Sequence, residues 1–404
     1  MSDTYDLAVV GAGIVGLAVA REFLRRRPGA SLIVIDKQDT VGFHQTGHNS
    51  GVIHSGVYYT PGSLKARLCV DGARLMYEFC DEHAVPYRRC GKIIVAVRES
   101  ELARLADLGE RGRANGVPGL REVSAAEIGE IEPECRGLAG LYSPATGIVD
   151  YGAVARALEK ELRGQGVAFA LGTAITAIRR EGTETILAHS GGAVRASAAI
   201  VCGGLWSDRL AVSAGASPDP RIVPFRGAYL RLAEGQPDVV RGMVYPVPDP
   251  ALPFLGVHVT SHMGSPPMLG PTALLAGARD AYSLRTVRLT DLLGTLTWPG
   301  TWAVARRFWR TGLDEMRMAA SQKAFIRACA QYVPAIEGMK IDPVPAAGVR
   351  AQAVGRDGRL LDDFAISHTP GATHVRNAPS PAATSSLALA RELVDRHLAA
   401  SEAG

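Results

Sequence analysis

The chain holds 404 residues, 47% hydrophobic and 21% charged, a composition that excludes a disordered polymer and leaves room for two domains with a substantial core. A formal charge of +4 is small for this length and the arginines are spread out, which argues against a nucleic-acid partner. Six cysteines (Cys69, Cys80, Cys90, Cys135, Cys202, Cys329) show no C-x-x-C and no metal-ligand spacing; with no signal-peptide pattern or membrane-length apolar run, we expect reduced thiols, no metal and a cytoplasmic protein.

The first element is a short apolar run, residues 7–10, suited to a strand buried on both faces. Gly11, Gly13 and Gly16 follow at G-x-G-x-x-G spacing, so the strand turns straight into a helix opened by Ile14 and Val15. Gly11 permits the tight turn, Gly13 lets the backbone approach a pyrophosphate, and Gly16 lets the helix lie close on the strand. Residues 31–35 read as the next strand. Asp36, 20 residues after Gly16 and followed by Lys37, stands where a carboxylate accepts the hydroxyl protons of an adenosine ribose. The acid disfavours a 2′-phosphate and leaves NAD and FAD both open.

Residues 37–72 form a loop and helix start with His44, His48 and His54, Tyr58 beside Tyr59, and four glycines between 42 and 56. So polar a loop demands a partner for each group, and a ligand supplies them better than core packing. The Thr46, His48, Asn49-Ser50-Gly51-Val52 and Ile53-His54-Ser55-Gly56 run resembles the segment that lines the diphosphate and flavin ring in glycine oxidase and D-amino acid oxidase type enzymes. That resemblance tips the cofactor to FAD.

Further along, apolar spacing predicts an amphipathic helix over 64–80, a strand over 90–97, a helix over 99–115, a short capped helix over 124–131 and a helix over 151–163. Residues 167–178, with Ile175, read as strands; in flavoproteins of this kind such a stretch contacts the adenine. A second strand and Gly203-Gly204 turn, followed by Trp206, occupies 198–208 and repeats the opening pattern without its full spacing. The chain closes with a strand at 374–377, the turn Pro379-Ser380-Pro381-Ala382-Ala383-Thr384, and a helix starting near Pro381 whose positive end favours a reduced, anionic flavin.

Between 220 and 345, strand-like pieces at 224–232, 243–260 and 268–276 suit an antiparallel sheet roofing the flavin. They carry Arg226, Tyr229, Tyr245 and His258, joined by Arg350 and Gln352 from the next segment. Flavin oxidation of a 2-hydroxy acid needs these types: an arginine to grip a carboxylate and a neutral histidine, His258 or His54, to take the hydroxyl proton. Residues 295–312 gather three of the four tryptophans among Arg306, Arg307 and Arg310. A packed helix whose arginines reach water is the simpler reading, and membrane contact is peripheral at most, at the inner membrane.

The runs at 44–66, 224–232, 245–258, 347–354, 357–364 and 377–384 resemble the L-2-hydroxyglutarate oxidase/dehydrogenase family over nearly the whole chain. The resemblance implies an α/β fold, with a Rossmann-like FAD-binding domain of the glutathione reductase type (1–85, 148–220, 345–404) and an inserted antiparallel-sheet α+β substrate domain (86–147, 221–344). It implies oxidation of L-2-hydroxyglutarate to 2-oxoglutarate, with electrons passed to a quinone or oxygen. An amino acid oxidase, or an enzyme for another 2-hydroxy acid, is the alternative. Two departures bear on the substrate: the family pattern has Asn where Thr272 stands and Lys where Ala278 stands, which removes a cation. Pro266 and Pro267 also fall where a strand residue should donate to its ladder.

Overall fold

The opening apolar run forms strand Tyr5–Val10, hydrogen-bonded on both edges, which is why Leu7, Ala8 and Val9 have no exposed surface. The computed structural model describes residues 4–250, 256–343 and 346–402. Tyr5–Val10 is central to a parallel core in the order Ala168–Ala170, Leu32–Ile35, Tyr5–Val10, Gly192–Val201, Ala372–Asn377. Ile175–Glu181 and Glu184–His189 extend one edge antiparallel, and Ala365–Thr369 pairs with Ala372–Asn377. Helix Ile14–Arg26 covers this sheet and packs against Tyr151–Gly164 and Ala382–Glu402, so the C-terminal helix is held against the first one. The shared core of Leu17, Val19, Val34, Leu158, Leu389 and Leu393 lies between them. Removing any one of these side chains to alanine costs about 2–5 kcal/mol.

Helix Leu64–Glu82 has the spacing expected of it, and its start is fixed from two sides. Ser63 Oγ accepts from Ala66 N at 3.1 Å, while the Asp363 carboxylate accepts from Leu64 N and Lys65 N at 3.1 and 2.9 Å. The short helix Ala125–Ile131 carries the expected cap, with Ser124 and Glu127 forming a capping box.

The second sheet runs Leu274–Leu275, Arg221–Arg231, Ser265–Gly270, His258–His262, Met243–Pro246, Lys92–Ala96, Ala139–Ser143, Arg121–Ser124, and Ala346–Val354 lies along Arg221–Arg231. Neighbours are antiparallel except Met243–Pro246 with Lys92–Ala96, which is parallel. Residues 346–354, expected in the last cofactor segment, thus hydrogen-bond within this sheet. Of the strand expected over 243–260, residues 251–255 lie outside the described residues. The proline pair is accommodated by a bulge: the ladder to His258–His262 shifts register between Thr260 and His262, so neither Pro266 nor Pro267 must donate, and Pro267 O accepts from Leu232 N at 3.0 Å.

Where the sequence suggested one packed helix over 295–312, three helices lie end to end: Leu289–Leu296, Pro299–Arg307 and Trp309–Ala320. Trp298 is packed, its Nε1 donating to Val354 O at 3.0 Å, but the rest corrects that expectation. In Leu289–Leu296 the polar Asp291 and Thr295 are buried while Leu289, Leu293 and Leu296 face outward. Trp309–Ala320 has no buried residue, and Trp309, Leu313 and Met316 are exposed.

Candidate active site

One cavity of about 640 Å³ runs between the two sheets, within the range of ligand sites. Its first wall is the glycine turn. Gly11 has φ +110°, and a methyl group on it would meet Cys202 O; one on Gly16 would run into the Gly11 carbonyl. Both positions therefore require glycine. Gly13 is the N-cap of helix Ile14–Arg26 and has no side-chain cap, so the helix's positive end is open to the cavity, which Ile14, Val15 and Gly16 also line. Thr46 Oγ1 accepts from Ile14 N at 3.1 Å and joins the histidine loop to this turn.

Asp36 lies at one end. Its Oδ2 accepts from Ala12 N at 2.7 Å and its Oδ1 from Gln38 N at 2.9 Å; burial, opposed by these bonds, raises its pKa. Each oxygen keeps a lone pair for a ribose hydroxyl. Lys37 and Ile175 line the same end, and Lys37 Nζ sits 3.3 Å from the centroid of the Trp206 ring. Gly203 and Gly204 are beside them, Gly204 at φ +50°.

The loop wall places His48, Asn49, Ser50, Val52 and His54 along the middle of the cavity. Asn49 is occupied in shaping the loop: its Nδ2 donates to Gln45 O and Thr46 O at 3.0 and 2.7 Å, and its Oδ1 accepts from Gly51 N at 2.8 Å. Gly51 corrects one expectation, since it does not line the cavity. At φ +69° it turns the chain so that Val149 N can donate to its carbonyl at 2.8 Å. The tail wall is Pro379, Ser380, Pro381, Ala382, Ala383 and Thr384. Thr384 Oγ1 accepts from His54 N at 3.1 Å, donates to Val52 O at 3.2 Å and meets Tyr151 OH at 2.9 Å, locking the tail to the loop across the chain. The sequence reading placed Tyr151 only at the start of the helix over 151–163, since nothing local marks its contact with Thr384, 233 residues away.

The far end holds Tyr229, Tyr245, His258 and Arg350. The Tyr245 and His258 rings stack, centroids 3.9 Å apart at 16°. His258 Nδ1 lies 2.9 Å from Gly256 O, which can only accept, so Nδ1 carries the proton and neutral His258 presents an unprotonated Nε2. Burial pushes its pKa down to about 4. His54 is also held neutral, well below the usual range, by burial first and then by the charges of Lys92, His258 and Lys65; its Nδ1 is buried with no partner. Burial also lowers Arg350, and raises Tyr229 beside it.

Three expected substrate residues are elsewhere. In strand Arg221–Arg231, Phe225, Gly227 and Tyr229 line the cavity, so Arg226 faces the opposite side by the two-residue alternation. Its Nε and Nη2 both donate to Tyr282 O at 3.3 Å. Gln352 is turned to backbone, its Nε2 donating to Leu361 O and Ala353 O at 3.0 and 3.1 Å. Tyr58 stands behind Tyr245, ring centroids 6.4 Å apart, with its hydroxyl buried and unpartnered. Of the two departures, Thr272 lines the cavity and its Oγ1 accepts from Ala228 N at 3.2 Å, whereas Ala278 is buried in a small alanine cluster away from it.

A glycine turn, an open helix N-terminus and a ribose-ready carboxylate at one end, with a histidine and arginine at the other, fit a dinucleotide that extends into a reactive ring. The family model of FAD dependent oxidoreductases matches residues 6–396. The chain belongs to this family of FAD-dependent oxidoreductases. It is 44% identical over 414 residues to the mitochondrial L-2-hydroxyglutarate dehydrogenase of Nematostella vectensis, covering 98% of this chain and 91% of that one. It is 42% identical over 416 residues to the mitochondrial L-2-hydroxyglutarate dehydrogenase of Homo sapiens, covering 98% and 89%. Among solved structures it resembles the L-alpha-glycerophosphate oxidase of Mycoplasma pneumoniae, reduced and with FAD bound, at a TM-score of 0.76 and 22% identity over 97% of this chain and 94% of that one. As a family member the protein uses FAD, and the Rossmann-like core with its antiparallel roof is the expected fold.

Proposed function

We propose that the protein oxidises L-2-hydroxyglutarate to 2-oxoglutarate, with Gly11, Gly13, Gly16 and Asp36 holding the nucleotide and the His258–Arg350 end receiving the substrate. The observation that carries this reading is the neutral His258, its tautomer set by Gly256 O, beside a buried arginine in the same cavity. Near-full-length identity of 44% to an L-2-hydroxyglutarate dehydrogenase supports the substrate. Held by Gly11, Gly13, Gly16 and Asp36, FAD would supply the oxidising power by taking up a hydride from C2. His258 Nε2 takes the hydroxyl proton as the C2–O bond becomes a carbonyl, and Arg350 orients the C1 carboxylate so that C2 faces the ring. The stacked Tyr245 keeps the imidazole from turning. The domain division at 86–147 and 221–344 is part of the reading, supported by the two sheets, with 346–354 moved to the substrate side.

The electron acceptor in this reading is a quinone dissolved in a membrane, with oxygen as the alternative. No described helix is long and apolar enough to cross a bilayer. Support comes from the outward face of the three inverted helices, where Leu289, Leu293, Trp302, Trp309, Leu313 and Met316 are exposed. Among the described residues no salt bridge is formed by Arg285, Arg306, Arg307 or Arg310, which stand among them, and this matches an anionic lipid surface better than a neutral partner. Anaerobic mixing of the FAD-loaded enzyme with L-2-hydroxyglutarate, other 2-hydroxy acids and amino acids tests the reaction. Bleaching of the flavin by L-2-hydroxyglutarate supports it, and bleaching by amino acids alone overturns it.

A further inference from the structure

Lysine 92 has no place in the chemistry described so far. It lies in strand Lys92–Ala96 with 1% of its surface exposed. No acid pairs with it among the described residues. A lysine buried without an acid is unfavourable unless something else uses its charge. Its Nζ is instead 4.3 Å from the Tyr58 ring centroid and 5.1 Å from that of Tyr245. Strand pairing explains the arrangement. Tyr245 is opposite Ile94 on one side, and the Val244–Val259 pairing sets it beside His258 on the other, so Lys92, Tyr245 and His258 share one face of the sheet. Lys92 is thus one side chain behind the Tyr245 wall of the cavity.

The groups around it are His54, Tyr58 and Tyr59 from the loop, Lys65 and Cys69 of helix Leu64–Glu82, Tyr245 and His258 of the neighbouring strands, and Ser143 across the ladder. Lys65 is paired with Asp362 at 2.8 Å. The Cys69 thiol is pushed up to about 12 by burial, so it stays neutral. Two polar atoms in this group, His54 Nδ1 and Tyr58 OH, are buried and unpartnered. The surroundings therefore combine a cation without a counter-ion and unmet hydrogen-bonding capacity, beside a cavity wall.

We propose that Lys92 is a specificity-determining residue: its positive charge, delivered through the Tyr58–Tyr245 wall, selects a substrate with a second, distal carboxylate over one that ends in a methyl group. This rests on the proposed placement of substrate at the His258–Arg350 end. Arg350 serves the carboxylate common to both substrate types, whereas Lys92 contributes only when a second negative charge is present. Burial lowers Lys92 to about 7, so its charge falls away as pH rises through neutrality, and a nearby dianion favours proton uptake.

The test uses the FAD-loaded enzyme and two non-reacting ligands of equal length, glutarate and valerate, with binding read from the perturbation of the flavin spectrum. Wild type is expected to prefer glutarate, with the preference declining as pH rises from about 6 to 9. Lys92→Met should weaken glutarate about tenfold and leave valerate within about twofold, removing the pH dependence. Lys92→Arg should keep the preference and flatten its pH profile, because arginine stays charged. Equal losses for both ligands in Lys92→Met, or a wild-type preference that is absent or pH-independent, would overturn the proposal. The wild-type titration decides the matter even where a variant fails to fold. A Lys92-dependent glutarate preference without flavin reduction by L-2-hydroxyglutarate would instead sink the reaction assigned above and leave the charge selection standing.

Discussion

Two arginines one strand apart have opposite fates. Arg226 is buried against Tyr282 O, while Arg350, on the strand paired with it, lines the cavity. Arg350→Lys should raise KM for a 2-hydroxy acid by about tenfold, since a point charge replaces a two-pronged grip. Arg226→Ala should leave KM within about twofold and lower the melting temperature, because it strips a donor from a buried carbonyl. His258→Ala should retain FAD and slow anaerobic flavin reduction about 100-fold, the scale of general-base loss, in a stopped-flow trace. An unchanged rate would pass the role to His54. The sequence displays the residue types but not the phase of a strand, and a one-residue shift exchanges inward and outward sets. Arg226 was misplaced for that reason; Gln352 shares the phase of Arg350 but turns its amide to Leu361 O, and Tyr58 sits in a turn behind Tyr245, neither of which strand alternation reports. Lys92 was invisible because one lysine in CGKIIVAV looks like an edge residue lifted toward water.

At the scale of elements, the G-x-G-x-x-G turn, the Asp36 strand and the capped helices were legible because each has a local rule: glycine spacing, an acid at a set distance, Ser124 with Glu127. Gly16→Ala should cost several kcal/mol and release flavin, read as lost absorbance after gel filtration, because its methyl would run into the Gly11 carbonyl. The strands at 121–124 and 139–143 were less legible, as their pairing is non-local. The single packed helix read over 295–312 was misread more instructively. An aromatic cluster among arginines does not show which way its rings face, so outward tryptophans pass for core. Replacing Leu293 and Trp309 by Ser should leave the melting temperature nearly unchanged and abolish sedimentation with vesicles rich in anionic lipid. Wild type should sediment at low salt and be released by high salt. Loss of folding in the variant, with no vesicle binding by wild type, would return these helices to the core.

Across the whole molecule, four histidines share one direction of shift. His44, His258, His374 and His397 are each pushed down to about 4, burial being the largest cause. Their unfolded value is about 6.5, so the unfolded chain binds more protons between these limits. The stability they contribute is complete above pH 6.5 and drains away as pH falls toward 4. Each adds up to about 1.4 kcal/mol per pH unit in that window, so denaturant midpoints should drop steeply there; above pH 7 they should rise further, because burial holds Lys92 at about 7 in the folded chain. A flat profile between pH 6.5 and 4 would show these rings already protonated in the folded state. The fold as a whole was readable because both halves of the cofactor domain announce themselves, whereas the cavity depends on three distant segments meeting at Thr384, Val52 and Tyr151. The assembled claim is that this cavity aligns C2 of L-2-hydroxyglutarate with a bound flavin. Anaerobic single-turnover reduction by substrate carrying protium or deuterium at C2 tests it most directly. The account predicts full bleaching, one 2-oxoglutarate per flavin and a several-fold slower trace with deuterium; no bleaching, or identical traces, would contradict it.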